Sequence, residues 1–317
     1  PEPVKSQILL TDNGQLAPFP SDEVDADKEY HQIEELVVIS GKGGTGKTTV
    51  ATSLALIAAE QDSVRFLDCD VEAPNAGLFL EPVLDARKEV GILIPQVDEE
   101  TCTYCGKCAE VCQFHAIAVV GKKTLVFPEL CHGCGSCTLV CPENAITEHL
   151  NVMGVLEGGS TPEQIDFAQG VMNVGEPMAV PIIRELKKWI PDSSSEIEIW
   201  DAPPGASCPV VETIRGADFA LLVTEPTPFG LHDLKQVAEI VKELDIPAGV
   251  VINRDGIGDS AVEAYCEDSA LPILIRIPME RRIAEAIASG KLLLEAAPEY
   301  RPDFEAMLKT IVAEVSA

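Results

Sequence analysis

Basic residues are scarce in this chain: 23 Lys and Arg stand against 52 Asp and Glu in 317 residues, a formal net charge of -29. Nucleic-acid binding needs clustered cations to release counterions from phosphates, so this scarcity argues against a nucleic-acid partner. It argues equally against docking on an anionic membrane surface. Long apolar runs are missing too. Nothing approaches the roughly 20 residues that a spanning helix requires, so no membrane insertion is expected. No secretory segment precedes the cysteines, which points to a reducing, cytoplasmic setting and away from disulfides. The five histidines fall at no zinc-like spacing; His115 and His132, beside cysteines, read as groups that tune a site or face water.

The cysteines, by contrast, are abundant and ordered. Eight of the eleven form two runs, Cys102, Cys105, Cys108, Cys112 and Cys131, Cys134, Cys137, Cys141, the last followed by Pro142. Each run has the spacing of the bacterial ferredoxin pattern, in which three cysteines hold one 4Fe-4S cluster and the fourth crosses to the other. On that rule Cys102, Cys105, Cys108 and Cys141 bind one cluster, and Cys112, Cys131, Cys134 and Cys137 the second. Structural zinc pairs two short clips around a tetrahedral ion and does not call for this spacing twice. Cys69 and Cys266 read as small buried hydrophobes.

Three segments follow from composition and pattern. Residues 1–33 are acidic and proline-rich and read as a loosely packed extension. Residues 34–90 and 150–317 alternate short apolar strands, such as Leu36–Ile39, Val64–Leu67 and Gly249–Ile252, with helical stretches such as 231–244. That rhythm predicts an α/β fold, a mainly parallel sheet with helices on both faces. Residues 91–149 break it and are expected to form an inserted small α+β ferredoxin-like domain, with a short strand at Lys123–Phe127 between two halves that resemble an internal repeat.

A glycine-rich loop, Gly41, Lys42, Gly43, Gly44, Thr45, Gly46, Lys47 and Thr48, follows the first strand and opens a helix. In such loops backbone N–H groups face phosphates, the lysine (Lys47) reaches the β and γ phosphates, and the hydroxyl of Thr48 meets Mg²⁺. With Thr49 and the extra lysine, Lys42, this stretch resembles the deviant Walker A motif of the MinD, ParA and nitrogenase iron protein superfamily. Asp68-Cys69-Asp70 resembles that superfamily's first switch, Asp201 to Gly205 its second, and Asn253-Arg254 its adenine-binding end; the stretch from Ile277 to Gly290 resembles the part that closes such domains. With the insert included, the chain is similar to the ferredoxin-inserted branch of MinD-type ATPases, distant relatives of the Mrp and Nbp35 iron-sulfur carriers.

That resemblance implies ATP or ADP with Mg²⁺ and a P-loop ATPase that closes into an ATP-sandwich homodimer, or a heterodimer with a related ATPase. In it Lys42 acts in trans, Asp70 orients the attacking water, and Asp201 holds Mg²⁺ through water and signals γ-phosphate to the switch. There are departures. Cys112 is followed by Gln113 where many ferredoxins have proline. Cys208 stands seven residues after Asp201, where the nitrogenase iron protein has a cluster ligand, but its second cysteine has no counterpart in 170–176. MinD's basic membrane helix is also missing; the apolar stripe of 304–315 fits core packing better. The function expected is ATP-driven electron transfer through two clusters to a protein redox partner. The alternative is an iron-sulfur assembly or carrier ATPase that hands a cluster to an acceptor; MinD-like spatial positioning is weaker without the membrane helix.

Overall fold

β-branched apolar runs with few polar interruptions favour strands buried on both faces, and they build the middle of the sheet. In a computed structural model the described residues are 34–189 and 195–315; the acidic extension expected over 1–33 lies outside them. The strands are β1 (Glu34–Ile39), β2 (Val64–Asp68), β3 (Val83–Val97), β4 (Ile117–Val119), β5 (Thr124–Val126), β6 (Ile146–Ser160), β7 (Asp166–Met172), β8 (Ile197–Asp201), β9 (Phe219–Thr224), β10 (Ala248–Asp255) and β11 (Ile273–Pro278). Nine of these form one sheet in the order β11-β10-β9-β1-β8-β2-β7-β6-β3. From β11 to β7 every pairing is parallel. The central strands β2, β8 and β9 are buried at every residue.

Side chains alternate across a strand, so β1 feeds two cores. Leu36 and Val38 pack with the helices Lys47–Ala58 and Arg301–Val315 on one face. Val37 and Ile39 pack with Val180–Lys188, Cys208–Ile214 and Pro228–Glu243 on the other. The last helix spends its apolar stripe inward: Phe304, Met307, Leu308 and Ile311 are buried, and truncating Phe304 to alanine would cost about 3–5 kcal/mol. Among the described residues no helix is long and apolar enough to cross a membrane.

Beyond β7 the sheet changes direction. β6 runs antiparallel to β7, and β3 antiparallel to β6. The β6–β7 pairing ends at Gly154 opposite Met172, whereas β3 and β6 stay paired to Val97 and Ile146. A two-stranded ribbon therefore overshoots the sheet by about seven residues, roughly 23 Å at about 3.3 Å per residue. It overshoots at the carboxyl ends of the parallel strands, the edge from which the glycine loop leaves β1. The strands run without a break through 90/91 and 149/150, where sequence alone put the edges of an insert; the cysteine-bearing residues 98–145 cap the ribbon. At its root lies a β-bulge between Val90 and Gly91. A side chain on Gly91 would collide with the Asn151 carbonyl, so the bulge demands glycine. Asn173 fastens the same point, donating from its backbone to Met153 O at 2.8 Å and from Nδ2 to Val152 O at 3.1 Å.

Candidate functional site

The nucleotide-type loop lies between β1 and the helix that starts at Lys47. Gly46 adopts φ 92°, and a Cβ there would strike Asn253 Nδ2, so both backbone and space require glycine. Asn253 Nδ2 donates to Thr45 O at 2.6 Å and Arg254 Nη2 to Gly44 O at 2.8 Å. The two residues expected at the adenine end grip the loop's carbonyls. The cleft over it, about 440 Å³, is lined by Lys42, Gly43, Gly44, Gly46, Lys47, Thr48 and Thr49. Asp70, Asn253 and Arg254 line it too, as do Pro278, Met279 and Ile283 from the expected closing stretch. Gly41 does not line it but packs against Asp233. Thr45 is buried, and its Oγ1 has no hydrogen-bond partner.

At the floor three carboxyl strand ends meet. Val38, Asp201 and Asp68 are in register on β1, β8 and β2. Asp201, fully buried, accepts from Thr48 Oγ1 at 2.6 Å and pairs with Lys47 Nζ. Hard oxygens from Thr48 and Asp201 side by side are the ligand chemistry Mg²⁺ takes. Asp68 accepts from the backbone N–H of Asp70, Asn75 and Ala76 at 3.1, 2.9 and 2.9 Å, so it positions the loop carrying Asp70. Burial, then the Asp201 charge, pushes the Asp68 carboxyl up to about 7. Burial also raises Asp70, against the pull of Lys47. Gly205 N, in the second switch-like segment, donates to Ser40 O at 2.9 Å.

Lys42 is held within its own chain. Its ammonium pairs with Glu225, at the end of β9, whose other oxygen takes Arg254 Nη1 at 3.0 Å. Burial works against the charge on Glu225, but the hydrogen bond from Lys42 and the charges of Lys42 and Arg254 outweigh it and hold the carboxyl below the usual range. Neither Glu225 nor the loop-holding role of Asp68 was anticipated. The available signal was a lone carboxylate closing an apolar strand, Leu221-Leu-Val-Thr-Glu225.

The cysteines gather around two cavities. Cys102, Cys105, Cys108 and Cys141 line one, and Cys112, Cys131, Cys134 and Cys137 the other. The two runs are related by a constant offset of 29, Cys102 answering to Cys131 and Cys112 to Cys141. Backbone geometry repeats at the same offset: positive φ occurs at Tyr104 and Gly133, Gly106 and Gly135, His115 and Asn144. So do the sulfur contacts. Tyr104 N and Gly133 N donate to Cys102 and Cys131 Sγ at 3.4 and 3.5 Å, and Ala116 N and Ala145 N to Cys112 and Cys141 Sγ, both at 3.3 Å. Four sulfurs around a void, with amide donors aimed at them, are a donor set that fits a 4Fe-4S cluster. Among the described residues no three His, Cys, Asp or Glu side chains converge as a single metal ion would need. Cys69 and Cys266 are buried elsewhere, and burial pushes the Cys266 thiol up to about 11. Cys208 is exposed, far from both cavities in sequence.

Residues 36–294 match the family described as the CobQ/CobB/MinD/ParA nucleotide binding domain. An uncharacterized protein of Methanocaldococcus jannaschii, MJ0579, is 33% identical over 266 residues, covering 82% of this chain and 91% of its own length. An iron-sulfur cluster carrier protein of Pyrococcus horikoshii is 22% identical over 280 residues, covering 83% and 80%. Among solved structures, the septum site-determining protein MinD of Pyrococcus horikoshii with Mg-ADP superposes with a TM-score of 0.55 at 19% identity, covering 90% of this chain and 99% of that one. That last likeness is one of fold.

Proposed function

The chain belongs to the CobQ/CobB/MinD/ParA nucleotide-binding family, and on that premise we propose that it is an ATPase whose nucleotide state governs electron transfer through two 4Fe-4S clusters. The observation that carries this reading is spatial: the two four-cysteine cavities cap a ribbon that rises from the same sheet edge as the nucleotide cleft. When bound, the clusters would supply one-electron chemistry; the rest is done by this chain's side chains. Lys47 leaves Asp201 for the β and γ phosphates, and Thr48 and the freed Asp201 would hold Mg²⁺, which would offset the phosphate charge. Asp70, on the loop held by Asp68, orients the attacking water. Asn253 and Arg254 keep the loop in place beside the base. Lys42 leaves Glu225 for the nucleotide of a second subunit, which makes the active form a dimer.

The reading is tested by redox titration of the clusters without nucleotide, with ADP, and with a non-hydrolysable ATP analogue. A shift of about 60 mV in a one-electron couple is about 1.4 kcal/mol, an ordinary coupling free energy. Potentials that move with nucleotide in the parent and stand still in Asp201→Asn support the proposal. Fixed potentials together with ATP-dependent loss of iron to an apo-protein would instead support a cluster carrier, the reading favoured by the relative named for that activity. Zinc without labile sulfide would defeat both.

A further inference from the structure

The 29-residue repeat allows the two cavities to be compared position by position, and three of the positions that differ carry a charged side chain in one cavity and none in the other. Glu148 lines the cavity of Cys112, Cys131, Cys134 and Cys137; its counterpart in the other cavity is Val119. Lys107 lines the cavity of Cys102, Cys105, Cys108 and Cys141; its counterpart is Ser136. Phe114 answers in the same way to Glu143. One cavity thus faces an ammonium and a carboxylate that offset each other, and the other a carboxylate with no lysine or arginine in its lining.

Glu148 is also held in place. Thr138 Oγ1, next to Cys137, donates to its Oε1 at 2.9 Å, a bond that the counterpart Ala109 has no hydroxyl to make. Gly135, between Cys134 and Ser136, leaves the room: a Cβ there would lie 3.2 Å from Glu148 Oε1. A negative charge beside a cluster disfavours adding an electron and lowers its potential. Cys134 Sγ donates to Ser136 Oγ at 3.4 Å; with that sulfur deprotonated as a cluster ligand the hydroxyl would donate instead and work the other way, but a neutral dipole is weaker than a full charge. His132 is the one other titratable group, cysteines apart, in that lining, and it stacks on Phe114 with ring centroids 3.7 Å apart.

We infer that the two clusters of the proposed function have unequal potentials, that the one held by Cys112, Cys131, Cys134 and Cys137 is the lower, and that Glu148 sets the difference. The lower-potential cluster is also the nearer to the sheet, because Leu93 and Pro95 of β3 line its cavity whereas Val97, farther along the ribbon, lines the other. The inference rests on the two-cluster reading, and iron and labile-sulfide content, measured first, tests that reading by itself.

The test is an EPR-monitored titration at low ionic strength and about pH 8, above the ordinary imidazole pKa of about 6.5. It compares the parent with Glu148→Gln, Glu148→Val and the converse Val119→Glu. Two separated steps are expected in the parent. Both substitutions at Glu148 should raise the lower step alone, Val119→Glu should lower the upper step alone, and added salt should shrink each shift. One unsplit step in the parent, or a lower step that ignores Glu148→Gln while iron and sulfide stay complete, overturns the inference. Protein without clusters would sink it together with the function it rests on. Val119→Glu guards against poor cluster loading in the Glu148 variants, since it asks the same question of the other cavity.

Discussion

The nucleotide cleft and the cysteine module prepare for their ligands in opposite ways. In the cleft the key side chains are already paired with one another: Lys47 and Thr48 with Asp201, Lys42 and Arg254 with Glu225. In the module the sulfurs meet mainly main-chain amides, fixed by residues at positive φ that recur in both halves. On the proposed function the first site exchanges partners to work, and each exchange is a chance to signal. The second has little to exchange; its geometry is set by the fold. The proposed coupling of the two needs this contrast, one site that switches and one that holds still.

The largest effect should come from breaking a buried pair in the cleft. Lys47→Ala leaves Asp201 and Asp68 as neighbouring carboxylates without their cation, and removing one partner of a buried pair costs about 3–5 kcal/mol. Urea unfolding should show that loss, and calorimetry should show ATP binding gone. Adding Asp201→Asn should restore stability but not binding. A Lys47→Ala protein as stable as the parent would mean that the pair is not what organises the cleft.

In the module the matching experiment is Cys105→Ser. About half of the iron and labile sulfide should be lost, because three cysteines of one set remain against four of the other, while ATP affinity stays as in the parent. Loss of all iron would show the two cavities to be one cooperative unit rather than two fixed ones.

Much of this was legible in the sequence because its chemistry is local. The loop 41–48 and the cysteine runs need fixed spacings, and the central strands are unbroken apolar runs, so β1, β2 and β10 fell where expected. The ribbon did not. Its strands carry Asp85, Arg87, Lys88 and Glu89 on one side and Thr147, Glu148 and His149 on the other, with Gly91, Pro95 and Gly154 interrupting them, so neither strand period nor apolar content stands out. Long-range pairing makes them strands, and a sequence does not display its pairings. Glu225 escaped for a similar reason: it acts through partners distant in sequence, Lys42 by 183 residues and Arg254 by 29. Asp68 escaped although its partners are near, because the loop must fold back before the N–H groups of Asn75 and Ala76 meet its carboxylate.

A pH series separates the two sites again. Asp68 has its folded-state pKa raised above the ordinary Asp value near 4 to about 7, so the folded state holds that proton more tightly than the unfolded one. The stabilisation is present below about pH 4 and is lost as pH rises toward about 7. Chemical unfolding of the nucleotide-free protein should follow that slope, and Asp68→Asn should flatten it without changing iron content. A slope that survives Asp68→Asn would assign it to other groups.

The smallest effect concerns the Lys42 contact, which is partly exposed and worth about 1 kcal/mol or less. Glu225→Gln should release Lys42 and strengthen ATP-dependent dimerisation by up to about fivefold, seen by sedimentation. Lys42→Ala should leave monomer ATP binding intact and remove that dimerisation. Normal dimers from Lys42→Ala would show that the lysine never leaves its own chain.

The bulge at Val90 and Gly91 has a mechanical consequence. A paired ribbon about 23 Å long, rooted at one irregular position, is a lever with a defined pivot. A tilt of about 10° there would sweep its tip through about 4 Å, while the strands on either side of β1 need not move. Small angular changes near the sheet edge are thereby magnified into displacements as long as a hydrogen bond at the far end, where the sulfurs are.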